Sequence, residues 1–166
     1  MKNIELKVKI DNLDSLSNII KSQSSFQGTL FQKDTYYLLG KNRLKTREEG
    51  DEFEIIYYQR EDKESSTDSK YFLYQINKIF FFFVKLFLNL FFGKKKVVEK
   101  RRDLYLYKNT RIHIDKVKKL GDFLELETVV NDKEKYDEYK KEHSEVIKKF
   151  NLNKFEKVAH SYSDLI

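Results

Sequence analysis

The sequence predicts an α+β fold in which eight β-strands close into a barrel around a charged tunnel, with helices packed outside. Three observations lead there. Stretches of alternating character recur along the chain, beginning with Asn3 to Ile10. Several place ionisable residues at every second position, as in Arg111, His113 and Asp115, while Ile112 and Ile114 occupy the other side. Apolar segments with helical spacing stand beside the strands. A half-buried strand also alternates with its polar side in water. The recurrence of mixed basic and acidic groups on so many strands favours a wet lumen, with the apolar faces turned outward under helices.

The elements follow in order. Asn3 to Ile10 sets Ile4, Leu6, Val8 and Ile10 against Asn3, Glu5, Lys7 and Lys9, which is a strand. Asp11 or Asn12 can cap a helix whose apolar positions are Leu13, Leu16, Ile19 and Ile20. Gly28 to Leu39 reads as the second strand, with Gln32, Asp34 and Tyr36 on one face. A turn at residues 40–42 leads to a third strand carrying Arg43, Lys45 and Arg47. Another turn at Gly50 and Asp51 leads to a fourth, Phe53 to Arg60, where Glu54, Ile56, Tyr58 and Arg60 share a face. Glu61 to Ser69 is a solvated loop and Lys70 to Gln75 a short fifth strand. Residues 79–92, IFFFFVKLFLNLFF, are low-complexity, strongly apolar and short for a membrane span. They suit a helix lying on the barrel, a membrane-surface helix, or a segment of biased composition without fixed structure. An external helix is the expectation, because outward apolar strand faces need covering. A helix greasy all round leaves one face in solution, so self-association or weak membrane adsorption is expected through it, and a homodimer is a separate expectation. Strands six to eight lie within Val97 to Val130, turning at Lys108-Asn109 and at Lys118 to Asp122. They carry Lys100 and Arg102, then Arg111, His113 and Asp115, then Glu125 and Glu127. Asp132 can cap a last helix, Lys133 to Phe150.

Composition narrows the function. The 166 residues are expected to form one domain, 1–166, with no repeat and no proline to mark a linker. Lys plus Arg number 33 against 27 Asp plus Glu, so an anionic partner is favoured, yet the acids are too many for a simple nucleic-acid tail. Without cysteine there is no disulfide framework and no thiolate metal site. With no signal-peptide pattern at the start, the cytoplasm is the expected location. No GxxxxGK[ST] pattern occurs, which argues against a Walker-type nucleotide site.

The strand faces supply a chemistry. Lys7, Lys9, Arg43, Lys45, Arg47, Arg60, Lys100, Arg102 and Arg111 converge with Glu5, Asp115, Glu125 and Glu127. So many cations in one tunnel call for a polyanion, and a triphosphate chain matches Arg and Lys donors well. Carboxylates beside phosphates call for a divalent cation between them, and oxygen ligation suits Mg²⁺ or Mn²⁺.

With its motifs in order (NIELKVK, QKDTYY, NRLKTRE, EIIYYQRED, VVEKRRDLY, RIHIDKVKKLGDFLELE and SYSDLI), the chain resembles the CYTH family of triphosphate tunnel metalloenzymes. That family includes class IV adenylate cyclases and thiamine triphosphatases. The resemblance covers nearly the whole chain and implies an antiparallel eight-stranded barrel. It gives Glu5, Glu125 and Glu127 to the metal, and the nine cations named above to the triphosphate. Asp115 and Lys100 become the catalytic candidates, Asp115 supporting metal or water. The chain departs from the family's ExExK signature at Asn3, which removes one carboxylate and weakens the case for two tightly held metals.

Three functions compete, with a purely structural or membrane-surface role behind them. A metal-dependent phosphohydrolase acting on inorganic triphosphate, thiamine triphosphate or a nucleoside triphosphate leads. A class IV-type adenylate cyclase is the alternative. A non-catalytic module binding polyphosphate or RNA comes third; Glu125 and Glu127 would repel a nucleic-acid backbone in the absence of metal, which disfavours that partner. His113 is read as a tunnel hydrogen-bonder.

Overall fold

A computed structural model describes residues 2–11, 13–39, 42–60 and 67–166. Its strands are β1 (Lys2–Ile10), β2 (Ser25–Tyr37), β3 (Arg43–Glu49), β4 (Glu52–Arg60), β5 (Thr67–Ile76), β6 (Lys94–Tyr107), β7 (Thr110–Val117) and β8 (Gly121–Val130). They close in the order β1-β5-β4-β3-β2-β6-β7-β8, every pairing antiparallel. The helices are α1 (Leu13–Gln23), α2 (Lys78–Phe91), α3 (Tyr136–Lys149) and α4 (Tyr162–Leu165).

The barrel is narrowest in pairing at the β1–β5 seam, which runs only from Lys2 opposite Lys70 to Glu5 opposite Thr67. Beyond it the C-terminal segment takes over the edge of β1. Lys9 N donates to Glu156 O at 3.0 Å, and Val158 N to Lys7 O at 2.9 Å. Ser161 and Tyr162 then turn inward and close that end of the tunnel.

The hydrophobic core lies outside the barrel, as a charged lumen demands. Leu6, Val8, Ile10, Ile112, Ile114, Leu124 and Leu126 face outward and bury Leu16 and Ile20 of α1 with Val146 and Phe150 beside them. A second cluster, Tyr36, Val98, Val117, Phe123 and Tyr162, sits at the closed end. Helix α2 lies outside β4, with Phe81 ringed against Phe53 at 4.9 Å. Its Asn77 cap accepts from Phe80 N at 2.8 Å.

Several boundaries move. The second strand starts at Ser25, three residues before the glycine expected to open it. The fifth starts at Thr67, because pairing with β1 draws 67–69 out of the loop. The last helix starts at Tyr136, since Asp132 accepts from Glu134 N in a preceding turn and does not cap the helix. The rest of that loop, residues 61–66, together with Asn12 as a cap and Gly40 and Lys41 as a turn, lies outside the described residues.

Helix α3 is fastened through a buried polar chain. Thr110 Oγ1 donates to Glu142 Oε1 at 2.7 Å, Thr110 and Thr128 hydroxyls lie 2.8 Å apart, and Thr128 Oγ1 is 2.9 Å from His143 Nδ1. Burial lowers the His143 pKa from 6.5 to about 4. The neutral ring is thus the folded form, and between these values the unfolded chain binds the extra proton. Stability contributed by His143 is present above pH 6.5 and is lost as the pH falls through about 4. Urea unfolding midpoints at pH 7 and pH 4.5 should converge in His143→Asn relative to the parent protein; an unchanged pH dependence would contradict this.

Candidate active site in the tunnel

Alternation along each strand sends one set of side chains into a cavity of about 320 Å³. That size suits a small ligand. Half-buried Glu49, Glu54, Arg111 and Glu127 contribute to the cavity's lining, as does the buried Tyr162.

One wall is cationic and is built twice on the same plan. In β3, Lys45 and Arg47 are two residues apart, and Asp34 of β2 lies opposite Arg47. Asp34 accepts from Lys45 Nζ at 2.6 Å, Arg47 Nε at 2.7 Å and Arg47 Nη2 at 2.9 Å. In β6, Lys100 and Arg102 are again two apart, and Asp115 of β7 lies opposite Arg102. Asp115 accepts from Arg102 Nε and Nη2, both at 2.6 Å, from Lys100 Nζ at 3.0 Å and from the Tyr162 hydroxyl at 3.0 Å. Each aspartate fixes a Lys–Arg pair from behind. Burial alone would push both carboxyls up, but Arg47 and Lys45 for Asp34, and Arg102 and Lys100 for Asp115, hold them well below the usual range. Lys7 completes the cation set, 4.2 Å above the Tyr162 ring.

The facing wall, β1-β8-β7, carries the acids. Glu5 is opposite Glu127 and Lys7 is opposite Glu125 across β1 and β8. His113 is opposite Glu125 across β7 and β8. Among the described residues, His113, Glu125 and Glu127 bring one donor atom each within 4.8 Å of one another. Among the described residues the buried His113 Nδ1 has no hydrogen-bond partner, and it stands 3.9 Å from Glu125 and 3.8 Å from Glu127. Those separations are too long for hydrogen bonds and leave room for a shared cation. Asn3, whose buried Oδ1 has no partner among the described residues, lines the same cavity. Two carboxylates with an imidazole nitrogen fit a divalent ion. Burial opposes the Glu125 charge, yet Lys7, His113 and Arg102 hold its pKa well below normal, and its Oε2 accepts from Arg102 Nη2 at 2.6 Å. Glu5 is oriented by the Ser69 hydroxyl, which donates to it.

The structure gathers Lys7, Lys45, Arg47, Lys100, Arg102, Arg111, Glu5, Glu125 and Glu127 around one cavity. Lys9 and Arg43 lie toward the closed end. Lys9 is exposed there, and Arg43 Nη1 donates to Asp164 of α4 at 2.6 Å; neither lines the cavity. Asp115 has no exposed surface and stands behind Arg102, so it positions cations and does not itself reach the cavity. Arg60 is described by its backbone, opposite Ser69. Asp34, Tyr162 and the ligating geometry of His113 have roles that strand alternation alone does not assign. Asp34 shared its face with Gln32 and Tyr36, and that was the available signal.

Lys45 offers a direct assay of this wall. Burial and Arg47 lower its pKa from 10.5 to about 7, against the pull of Asp34. At pH 8 it is largely neutral, and an arriving polyanion restores the proton. Tripolyphosphate binding at pH 8, followed by calorimetry in two buffers of different ionisation enthalpy, should show greater proton uptake in the parent than in Lys45→Met. Equal uptake in both would remove Lys45 from the contact.

Comparison with known proteins gives the same architecture. The family model described as CYTH domain matches residues 1–162. The protein named "Putative adenylate cyclase MJ0240" from Methanocaldococcus jannaschii is 28% identical over 99% of this chain and 98% of its own length. The PH1012 protein of Pyrococcus horikoshii OT3 superposes with a TM-score of 0.81 at 27% identity, covering 99% of each chain. A Hippeastrum structure, HpAC1, whose title reports a dominant triphosphatase activity, superposes at 0.69 with 11% identity, over 99% of this chain and 92% of that one.

Proposed function

The chain belongs to the CYTH family, and from that premise we propose that it is a divalent-metal-dependent phosphohydrolase acting on a triphosphate compound in the tunnel. The observation that carries the reading is the pair of facing walls: two aspartate-backed Lys–Arg clamps on one side, and His113, Glu125 and Glu127 on the other. A triphosphate chain presents oxygens to both. Lys45, Arg47, Lys100, Arg102 and Lys7 bind and orient those oxygens, with their forks already set by Asp34 and Asp115. Glu125, Glu127 and His113 would hold Mg²⁺ or Mn²⁺, with Glu5 and Asn3 adjoining. When bound, the cation supplies charge neutralisation and Lewis-acid polarisation at the phosphoryl group.

In the reaction, a water oxygen bonds to the terminal phosphorus as the bond from that phosphorus to the bridging oxygen breaks. The clamps neutralise charge building on the departing diphosphate, which is where fixed donors lower the barrier most. The adenylate cyclase name of the Methanocaldococcus relative favours a second reading, attack of a ribose 3′-oxygen on the α-phosphorus of ATP. Incubation with tripolyphosphate, ATP and thiamine triphosphate in Mg²⁺ or Mn²⁺, followed by product separation, decides. Orthophosphate with the corresponding diphosphate is expected. Cyclic AMP with pyrophosphate as the main products would overturn the hydrolase reading.

A further inference from the structure

The tunnel chemistry does not use α2. Only Phe81 and Leu88 of this helix are buried, whereas Ile79, Phe80, Phe82, Phe83, Leu86, Phe87, Leu90 and Phe91 are 52% to 77% exposed. Positions 79, 82, 83, 86, 87, 90 and 91 repeat at three- and four-residue steps, so they form one continuous outward stripe along the whole helix. The helix is held firmly from behind, by Phe81 on Phe53 and by Lys85 Nζ bonded to Glu48 at 2.5 Å. An apolar ridge of this size on a fixed helix marks an interaction surface.

The charges around the ridge select the partner. Helix α2 carries no Asp or Glu. Exposed lysines bracket it, Lys78 at one end and Lys94, Lys95 and Lys96 just beyond the other. A second copy docked face to face in antiparallel fashion would set Lys78 of one against Lys94 to Lys96 of the other, gathering like charge at both ends. Lys95 is held by Asp164 at 2.6 Å, and an anionic lipid surface presents phosphates to Lys78, Lys94 and Lys96 while accepting the phenylalanines between them. At 14 residues the helix is too short to cross, and no helix of the described residues is long and apolar enough to span a membrane.

We infer that α2 is an interfacial anchor that seats the barrel on an anionic bilayer, the apolar stripe entering the headgroup boundary and the flanking lysines meeting lipid phosphates. The cavity is lined from inside the barrel by other residues, so seating leaves the site's own groups untouched. The docking stands or falls separately from the proposed reaction.

The test is co-sedimentation of the whole protein with phosphatidylcholine vesicles, with and without phosphatidylserine, alongside light scattering of the protein alone. Binding confined to the phosphatidylserine vesicles and weakened by salt is expected. Phe83→Ser/Phe87→Ser/Leu90→Ser, all at exposed positions, should lose at least about tenfold in partitioning. Lys94→Gln/Lys96→Gln should lose about fivefold per lysine on anionic vesicles alone. Both variants should retain the parent's unfolding midpoint and tripolyphosphate binding. Equal sedimentation with both vesicle types, absence of binding, or a dimer that the triple variant converts to a monomer would each overturn the inference.

Discussion

The double variant Glu125→Gln/Glu127→Gln is expected to lose metal-stimulated turnover by at least ~10²-fold, the scale on which removal of a single charge-stabilising group acts in a water-excluded site. Glutamine keeps the shape of each side chain and deletes only the charge. The strand is held by main-chain pairing with β1 and β7, so the fold should persist. What disappears is the pair of anionic donors that, with His113, converges within 4.8 Å. Phosphate release measured across a Mg²⁺ and a Mn²⁺ titration checks the rate, and Mn²⁺ binding followed by electron paramagnetic resonance checks the site without reference to turnover. Unchanged metal stimulation in the double variant would leave Glu125 as the salt-bridge partner of Lys7 and Arg102, and Glu127 as that of Arg111, and nothing more.

The second large effect is on stability. Asp115→Asn should destabilise the protein by ~3–5 kcal/mol, because breaking a buried charge pair strands its partners in a medium that solvates them poorly. Asp115 has no exposed surface, and it receives both Arg102 bonds, the Lys100 ammonium and the Tyr162 hydroxyl. With its charge gone, Arg102 and Lys100 repel one another and Tyr162 loses its anchor at the closed end. Tripolyphosphate, which supplies replacement negative charge, should restore more stability to the variant than it adds to the parent. Denaturant midpoints with and without tripolyphosphate measure both quantities. A loss below about 0.5 kcal/mol, the range of ordinary surface substitutions, would show that Asp115 does not hold the clamp.

Much of this site was legible in the sequence, for a simple physical reason. Side chains alternate across a strand, so Lys45 with Arg47, Lys100 with Arg102 and Glu125 with Glu127 had to share faces whatever the fold. The closed barrel then put those faces on one lumen. Two things were not legible. The first is cross-strand register: Asp34 becomes the counter-ion of a clamp only because β2 and β3 pair so that it lies opposite Arg47. Nothing local to residues 32–36 announces that partner. The second is depth along the tunnel. Lys9 and Arg43 have the right parity, but the C-terminal segment crosses β1 beside Lys7 and Lys9, and Asp164 engages Arg43. Tyr162 enters the site from 47 residues beyond Asp115, a contact no periodicity could reveal. The phenylalanine run was readable as a helix with surplus apolar surface, and Phe81 and Leu88 account for all of it that is buried.

Attack of water on the terminal phosphorus of a triphosphate held between the two walls is read directly by isotope labelling. The protein is incubated with ATP or tripolyphosphate and Mg²⁺ or Mn²⁺ in water enriched in oxygen-18, and the products are resolved by phosphorus-31 NMR. One labelled oxygen in the released orthophosphate and none in the accompanying diphosphate product is the expected result. Label in the diphosphate product, unlabelled cyclic AMP with pyrophosphate, or no turnover of any triphosphate would contradict it.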